Sequence, residues 1–554
     1  MDTYTNGMSL EEQIGQVLMV GFWGITPSQD IIDLISRYHI GNIILFSRNI
    51  GSTRQVLELT QGLQRVAKEA GHHYPLLIAI DQENGIVQRL GEAATLFPGN
   101  MALGAIGSDE IAYEVARATG QELLALGINM NLAPVVDVNN NAANPVIGVR
   151  SFGEDPRLVA RLGAAMVKGY REAGIISCLK HFPGHGDTAS DSHLALPTLP
   201  HALERLEALE LVPFRRGIEA GADSVMIAHV SFPALTRQEE LPATLSPAIV
   251  KGLLREQMGF HGVMISDCLE MQAISETFGV QRGAVMALQA GIDLVLVSHL
   301  YERQRGSFET IRAAVETNEL APEVIQQAAE RVLRLKASHL SWETLPDSSK
   351  LPASGTSRQG AINLAPTLHP IGSEEHLQLQ KRAYERLPVL VRNEESLLPL
   401  HLDADERIVV ISPKRYSMSM VEDRYYSDDV LVDIIRHYHP NASIMTVPTG
   451  EASREALQTT READIFIVAT VNAHMDEGQA EVVHQLVALG RRVIGIAVRN
   501  PYDLQAFPRL RTYLVTYEYT RPALNAAVRA IFGERQAYGH LPVNIPGMFP
   551  PSFP

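Results

Sequence analysis

The chain has 554 residues, 45% of them hydrophobic and 20% charged, which is the balance of a soluble globular protein too long for one hydrophobic core. A formal charge of −16, with no long Lys/Arg run, argues against a nucleic-acid partner, because phosphate binding needs a basic surface. Two cysteines, Cys178 and Cys268, exclude a disulfide framework and fit a reducing compartment.

Met1 to Met8 lack the basic start and apolar core of a signal peptide, and the apolar run from Val17 to Ile25 is glycine-broken and too short to span a bilayer. The expectation is a cytoplasmic protein with no membrane partner. From Ser9 to about residue 340, short apolar runs alternate with helix-like segments. The runs are Val17–Phe22, Asn42–Phe46, Leu76–Ile80, Met130–Val136, Ile175–Leu179, Ser224–Ile227, Gly262–Ile265 and Leu294–Val297. Each is continuous rather than alternating in polarity, as strands of a parallel sheet buried on both faces should be. Between them lie amphipathic stretches such as Asp109–Leu126, Pro156–Ala173 and Leu203–Ala220, long enough for crossover helices. The pattern predicts an α/β fold, a (β/α)₈ TIM-like barrel over residues 1–340.

The segment 341–375 is rich in Pro, Ser, Gly and Thr and reads as a linker. Beyond it, over 376–554, the alternation resumes with runs at Leu387–Val391, Arg407–Ile411, Ser443–Val447, Asp464–Ala469, Val493–Ala497 and Tyr513–Tyr517. Helical stretches fall at Ser453–Thr460 and Gly478–Leu489. This predicts a smaller α/β sandwich domain with a largely parallel sheet.

Several runs of the first half end in a titratable residue: Ile80 leads to Asp81, Val136 to Asp137, Leu179 to Lys180 and His181, Ala228 to His229, and Ile265 through Ser266 to Asp267. In a parallel barrel these positions converge on the C-terminal rim, where catalysis is placed. The densest segment runs from Lys180 to His193, Lys-His-Phe-Pro-Gly-His-Gly-Asp-Thr-Ala-Ser-Asp-Ser-His. Pro183, Gly184 and Gly186 rule out a continuous helix there, so its polar groups sit on a loop leaving a buried strand.

Asp191 beside His193 is the pairing that suits general acid/base work, since a carboxylate holds an imidazole's tautomer and stabilises its charged form. Asp267, at a strand end, is the candidate carboxylate nucleophile. Lys180, His181, Asp81, Arg89 and Arg150 would supply hydrogen bonds to a polyhydroxyl substrate. Other readings stand beside these. His181, His185 and His193 match some zinc spacings, although Pro183 and Gly184 break the helix that a His-x3-His site needs. His185 also fits a residue that only folds the loop through backbone bonds, His229 a packing residue beneath the site, and Asp137 and Asp187 turn formers. Nothing in sequence activates the Cys268 thiol. Neither a metal nor a cofactor is expected.

These motifs resemble glycoside hydrolase family three, in its bacterial β-N-acetylglucosaminidase branch of cell-wall recycling. The resemblance runs through Asp81-Gln82-Glu83-Asn84-Gly85, Val87-Gln88-Arg89, Asn131 to Asp137, Arg150-Ser151-Phe152-Gly153, Lys180 to Gly186, Asp191-Ser192-His193, Pro242 to Ser246 and Ser266-Asp267. It implies a retaining β-N-acetylglucosaminidase with Asp267 as nucleophile and a His193/Asp191 acid/base dyad. It further implies that Asp81, Arg89, Arg150, Lys180 and His181 bind the sugar. Family β-glucosidases and xylosidases tend to take a Glu acid/base from the second domain, so the Asp191-Ser192-His193 loop favours a 2-acetamido sugar. A neutral histidine repels an incoming anion less than a carboxylate would, which keeps a phosphorylase as the alternative, followed by a β-glucosidase or β-xylosidase. Asn84 departs from the glycine common in relatives and is expected to thicken a turn near the sugar. The partner implied is a small saccharide; oligomeric state is not legible.

Overall fold

The computed structural model describes residues 4–192, 195–238, 240–343, 369–413, 422–423, 427, 429–447 and 463–548. All eight apolar runs of the first half contain strands: β1 (Leu18–Val20), β2 (Asn42–Leu45), β3 (Leu77–Ile80), β4 (Met130–Asn131), β5 (Ile176–Phe182), β6 (Ser224–Ile227), β7 (Val263–Ser266) and β8 (Val295–Val297). They pair in parallel in chain order, and β8 pairs with β1. A bridge between Ile265 and Leu294 joins β7 to β8 and closes the barrel.

The continuous apolar runs are resolved by the pleat. Met19, Ile44, Leu77, Ala79, Met130, Ile176, Cys178, Met226, Val263, Ile265, Leu294 and Leu296 fill the barrel interior. Their alternates Leu18, Val20, Ile43, Leu45, Ile78, Ile80, Val225, Ile227, Met264, Val295 and Val297 pack outward against the helices. Strand side chains alternate with period two, so the inward rows continue to Lys180 within β5 and, past the ends of their strands, to Asp81, Asp267 and Ser298. Period and strand direction together aim these groups at the barrel axis.

Helix Pro156–Ala173 has the expected bounds: the Asp155 side chain caps its start, Pro156 occupies the first turn and Gly174 ends it at φ 84°. The expected single helix over Leu203–Ala220 is instead two, Leu203–Ala208 and Leu211–Glu219. The chain leaves helical geometry at Leu209 (φ −136°, ψ −75°). The break turns Glu210 inward, where both its oxygens accept from Arg205 at 2.8 and 2.7 Å. Gly184 packs over it, and a Cβ there would come within 2.7 Å of Glu210 Cγ. Apolar spacing continues across the break, which is why periodicity alone spans it.

The second sheet contains β9 (Val389–Asn393), β10 (Ile408–Pro413), β11 (Ala442–Val447), β12 (Ile465–Thr470), β13 (Arg492–Ala497) and β14 (Thr512–Val515). Its order is β9-β14-β13-β12-β10-β11, parallel except for the antiparallel edge strand β9. Helix Glu374–Tyr384 precedes β9. Most of the segment read as a linker, 344–368, and the helix expected over Ser453–Thr460 lie outside the described residues. One face of this sheet shares a buried apolar cluster with Met101, Ala102, Ala105 and Val149 of the barrel half. Glu518 adds a polar tie, accepting from the Gly99 N–H at 2.9 Å. The chain order reverses beside β10, whose neighbours β11 and β12 lie on opposite sides, and ligand crevices of such sheets open at this kind of switch point.

Candidate active site

A cleft of about 320 Å³ opens at the C-terminal rim of the barrel. Six of the eight residues singled out from sequence line it: Asp81, Arg89, Arg150, Lys180, His181 and Asp267. Asp191 is buried in the loop beside it, and its neighbour Ser192 lines the cleft. His193 lies outside the described residues.

The floor of the cleft is a charge-balanced cluster. Lys180 Nζ donates to Asp81 Oδ1 at 2.6 Å and pairs with Glu83 Oε1 at 2.7 Å. Arg150 grips Glu83 with both arms, Nε to Oε2 at 2.9 Å and Nη2 to Oε1 at 2.8 Å. Burial would push the Glu83 carboxyl up, but Arg150 and Lys180 outweigh it and hold the group well below the usual carboxylate range. Burial likewise opposes the Lys180 charge, and Asp81 and Glu83 raise that ammonium above its ordinary value. Glu83 carried no role in the sequence reading. Its place two residues beyond Asp81 was the available signal, since alternate residues of an extended segment share a side.

Arg150 Nη2 also lies 3.3 Å from His181 Nε2. A guanidinium only donates, so Nε2 accepts and the ring proton sits on Nδ1, 2.7 Å from Asp137 Oδ2. Asp137 is a fully engaged buried carboxylate rather than the turn former weighed above. It also accepts from the backbone N–H groups of His181 and His185. Burial opposes its ionisation, yet His181 and these donors keep its carboxyl below the ordinary range.

His185 does more than fold the loop through backbone bonds. Its Nδ1 lies 2.8 Å from Thr188 Oγ1 and its Nε2 2.9 Å from Ser192 Oγ, so the ring pins the middle residue of Asp191-Ser192-His193. Burial, with His181 nearby, pushes its pKa down to about 4, which leaves it neutral near pH 7. His181 and His185 thus bond to separate partners, Asp137 and Arg150 for the first ring and Thr188 and Ser192 for the second. His229 packs beneath the rim, bonded to Thr244 Oγ1 (2.8 Å) and the Cys268 carbonyl (3.0 Å). Asp187 pairs with His201 at 2.7 Å. Burial raises the Cys268 thiol to about 12, and a protonated thiol is a poor nucleophile. Among the described residues, Cys268, Glu270 and His299 form one carboxylate-bearing triad of metal-ligand type and Asp187, His201 and Glu210 another. Glu270 is already bonded to the N–H groups of His299 and Leu300, and Glu210 to Arg205.

Asp267 sits just past β7, where its Oδ1 accepts from the Cys268 N–H at 2.7 Å. The expected thickening at Asn84 is not what the structure shows. Asn84 takes the left-handed φ of 69° that favours glycine, and its Nδ2 donates to Thr119 Oγ1 at 3.1 Å, away from the cleft lining.

The second domain completes the rim, through residues the sequence reading missed. Asp423, in the segment after β10, accepts from the Gln88 N–H at 2.8 Å, from Arg89 Nη1 at 2.9 Å and from the Ser47 hydroxyl, while its own N–H donates to the Ile86 carbonyl at 3.2 Å. Glu422 lines the cleft beside it and pairs with Arg499. Both second-domain carboxylates are thus spent on arginines. No local pattern marked them, because their partners lie far along the chain, Arg89 in the barrel half for Asp423 and Arg499 beyond β13 for Glu422.

Residues 9–335 match the glycosyl hydrolase family 3 N-terminal domain and residues 388–548 its C-terminal domain. The chain is 33% identical to β-hexosaminidase A of Pseudoalteromonas piscicida over 94% of this chain and 92% of that one. The structure of a glycoside hydrolase family 3 β-N-acetylglucosaminidase from Paenibacillus sp. str. FPU-7 superposes with a TM-score of 0.88 at 40% identity, covering 97% and 99% of the two chains. A fungal multi-domain β-N-acetylglucosaminidase of the same family, which has a GCN5-related glucosamine N-acetyltransferase region, superposes with a TM-score of 0.90 at 42% identity. That match covers 99% of this chain and 62% of the fungal one.

Proposed function

The chain belongs to glycosyl hydrolase family 3, and on that footing we propose that it is an exo-acting β-N-acetylglucosaminidase releasing N-acetylglucosamine from non-reducing ends. The observation that carries the reading is the cleft itself. Lys180, Asp81 and Arg150 form a polar floor backed by the buried Glu83, and Asp267 lies in the same cleft on the inward row of β7. A pit with a polar floor suits the terminal ring of a saccharide, whose hydroxyls need placed donors and acceptors.

In the mechanism, an Asp267 oxygen attacks the anomeric carbon while the glycosidic C–O bond breaks, and His193 gives its proton to the departing oxygen. Water then attacks the same carbon, neutral His193 takes its proton, and Asp267 is released as the carboxylate. Two inversions at one carbon retain the β configuration. Asp191 steadies the imidazolium formed in the second step. His185, through Ser192, holds the strip that carries the dyad. Asp81, Arg89, Arg150, Lys180 and His181 bind the sugar. The engagement of Glu422 and Asp423 by arginines supports a histidine rather than a second-domain carboxylate as the acid. The finer reading is a cytoplasmic enzyme acting on muropeptide-derived saccharides, supported by two buried free thiols and by the branch resemblance. No helix among the described residues is long and apolar enough to cross a membrane.

Turnover of the paired aryl β-N-acetylglucosaminide and β-glucoside, each with and without phosphate and with products weighed by mass spectrometry, tests the proposal. Free N-acetylglucosamine from the first substrate alone is expected, with loss of about 10³-fold or more in Asp267→Asn. A sugar 1-phosphate formed only in phosphate would make the protein a phosphorylase. Preference for the glucoside would refute the amino-sugar assignment.

A further inference from the structure

Of the described residues that line the cleft, Trp23 alone is exposed, at 64% of its surface. The indole thus stands in water at the mouth of a cleft whose floor carries Lys180, Asp81 and Arg150, where it offers a flat apolar face to whatever leaves the pit. The ring is also firmly presented. Its loop, which follows β1, is held by Gln304 Nε2 on the Gly21 carbonyl (2.7 Å), by Asn49 Nδ2 on the Gly24 carbonyl (2.8 Å) and by Gln55 Nε2 on the Ile25 carbonyl (2.6 Å). Arg48 supports it from one side, with its guanidinium carbon 4.7 Å from the Trp23 ring centroid and 4.3 Å from that of Phe46. Arg48 is in turn fixed by the carbonyls of Phe22 (2.9 Å) and Ser298 (2.7 Å).

We propose that Trp23, backed by Arg48, forms the subsite for the sugar ring on the leaving-group side of the scissile bond. This rests on the function proposed above. The terminal sugar fills the polar pit, so the next ring of a β-linked saccharide must leave through the mouth, where the indole stands. A pyranose presents axial C–H groups on one face, and a flat aromatic ring covers them while leaving the equatorial hydroxyls in water. The ligand class is therefore a saccharide of two or more rings. A small aglycone such as methyl is too short to reach the indole.

Two measurements test this. The ratio of kcat/KM on N,N′-diacetylchitobiose to that on methyl β-N-acetylglucosaminide should fall about 10-fold in Trp23→Ala, with most of it restored in Trp23→Phe. The chain has two tryptophans, Trp23 and Trp342, the latter bonded to the carbonyls of His72 and His73. In the Asp267→Asn background, chitobiose should therefore change the indole emission, the change surviving Trp342→Phe and vanishing in Trp23→Phe. An unaltered ratio in Trp23→Ala, or an emission change that persists in Trp23→Phe, overturns the subsite. If the wild type cleaves neither glycoside, the proposed function has failed and the fluorescence titration alone decides the subsite.

Discussion

Lys180 and Lys336 are both buried, 2% and 0% exposed, at opposite ends of the barrel, and the protein treats them in opposite ways. At the rim, Lys180 stands between Asp81 and Glu83, and its ammonium is held above its ordinary value in spite of burial. At the other end, Lys336 of helix Pro322–His339 reaches Gln16 Oε1 (2.6 Å) and the Gly41 carbonyl (2.8 Å), neutral partners that leave burial to pull its pKa down to about 7. Gly41 has no side chain because one there would come within 2.6 Å of that Nζ. The rim concentrates charge and balances it with carboxylates, while the opposite end tolerates an amine that sheds its charge. This is the division expected of a barrel whose C-terminal face works and whose N-terminal face stabilises.

The sharpest way to break the comparison is to remove each lysine. Lys180→Met leaves Asp81 and Glu83 short of a buried cation and should cost about 3–5 kcal/mol in unfolding free energy, with loss of turnover. Denaturant unfolding checks the first and the aryl glycoside assay the second. Equal costs for Lys180→Met and Lys336→Met would erase the distinction between the two ends.

Asp423→Asn asks how much of the rim belongs to the second domain. It keeps the shape but removes the anion facing Arg89, so a loss of about 1.5–3 kcal/mol is expected, together with a rise in KM. Unchanged KM would mean that the second domain only covers the cleft.

The rim also has a dependence on pH. In the unfolded chain His185 takes up its proton near 6.5, in the folded protein only near 4, so unfolding binds a proton between these values. Stability should therefore fall as pH drops from 6.5 to 4, by up to about 3 kcal/mol from this residue. His72, also lowered to about 4 by burial, adds to the same window. The slope of Tm against pH there should be shallower in His185→Asn, and an identical slope would detach His185 from acid sensitivity.

At the opposite end the window is alkaline. Unfolded Lys336 keeps its proton to 10.5 and the folded protein releases it near 7, so stability rises with pH between them. Lys336→Met should lie within about 1 kcal/mol of wild type at neutral pH, because burying a hydrophobe in place of an ion is often close to neutral. The wild type should then gain on the variant as pH rises from 7 to 9, read as the difference in Tm.

Much of the fold was legible because its signals are local. Eight continuous apolar runs announced strands buried on both faces, and the amphipathic stretch Pro156–Ala173 gave one helix with its observed bounds. The break at Leu209 was not legible, since the apolar spacing runs through it and its cause is the meeting of Glu210 with Gly184. At the site, Asp81, Lys180 and Asp267 were found from their positions at strand ends, and the period of two explains why they converge. Glu83 and Asp137 were in view but unassigned, because a carboxylate's role depends on which cation or N–H group faces it.

By itself, the sequence announced the eight strands of a parallel barrel and the titratable residues at their ends through spacing along the chain, while its motifs carried the resemblance to the family. Only the tertiary structure decided that Asp423 clamps Arg89, that His185 holds Ser192 and that Trp23 remains exposed at the cleft mouth. The physical reason is one of range. Periodicity and turn chemistry act over a few residues, whereas a carboxylate meeting a guanidinium from another domain leaves no trace in the residues on either side of it.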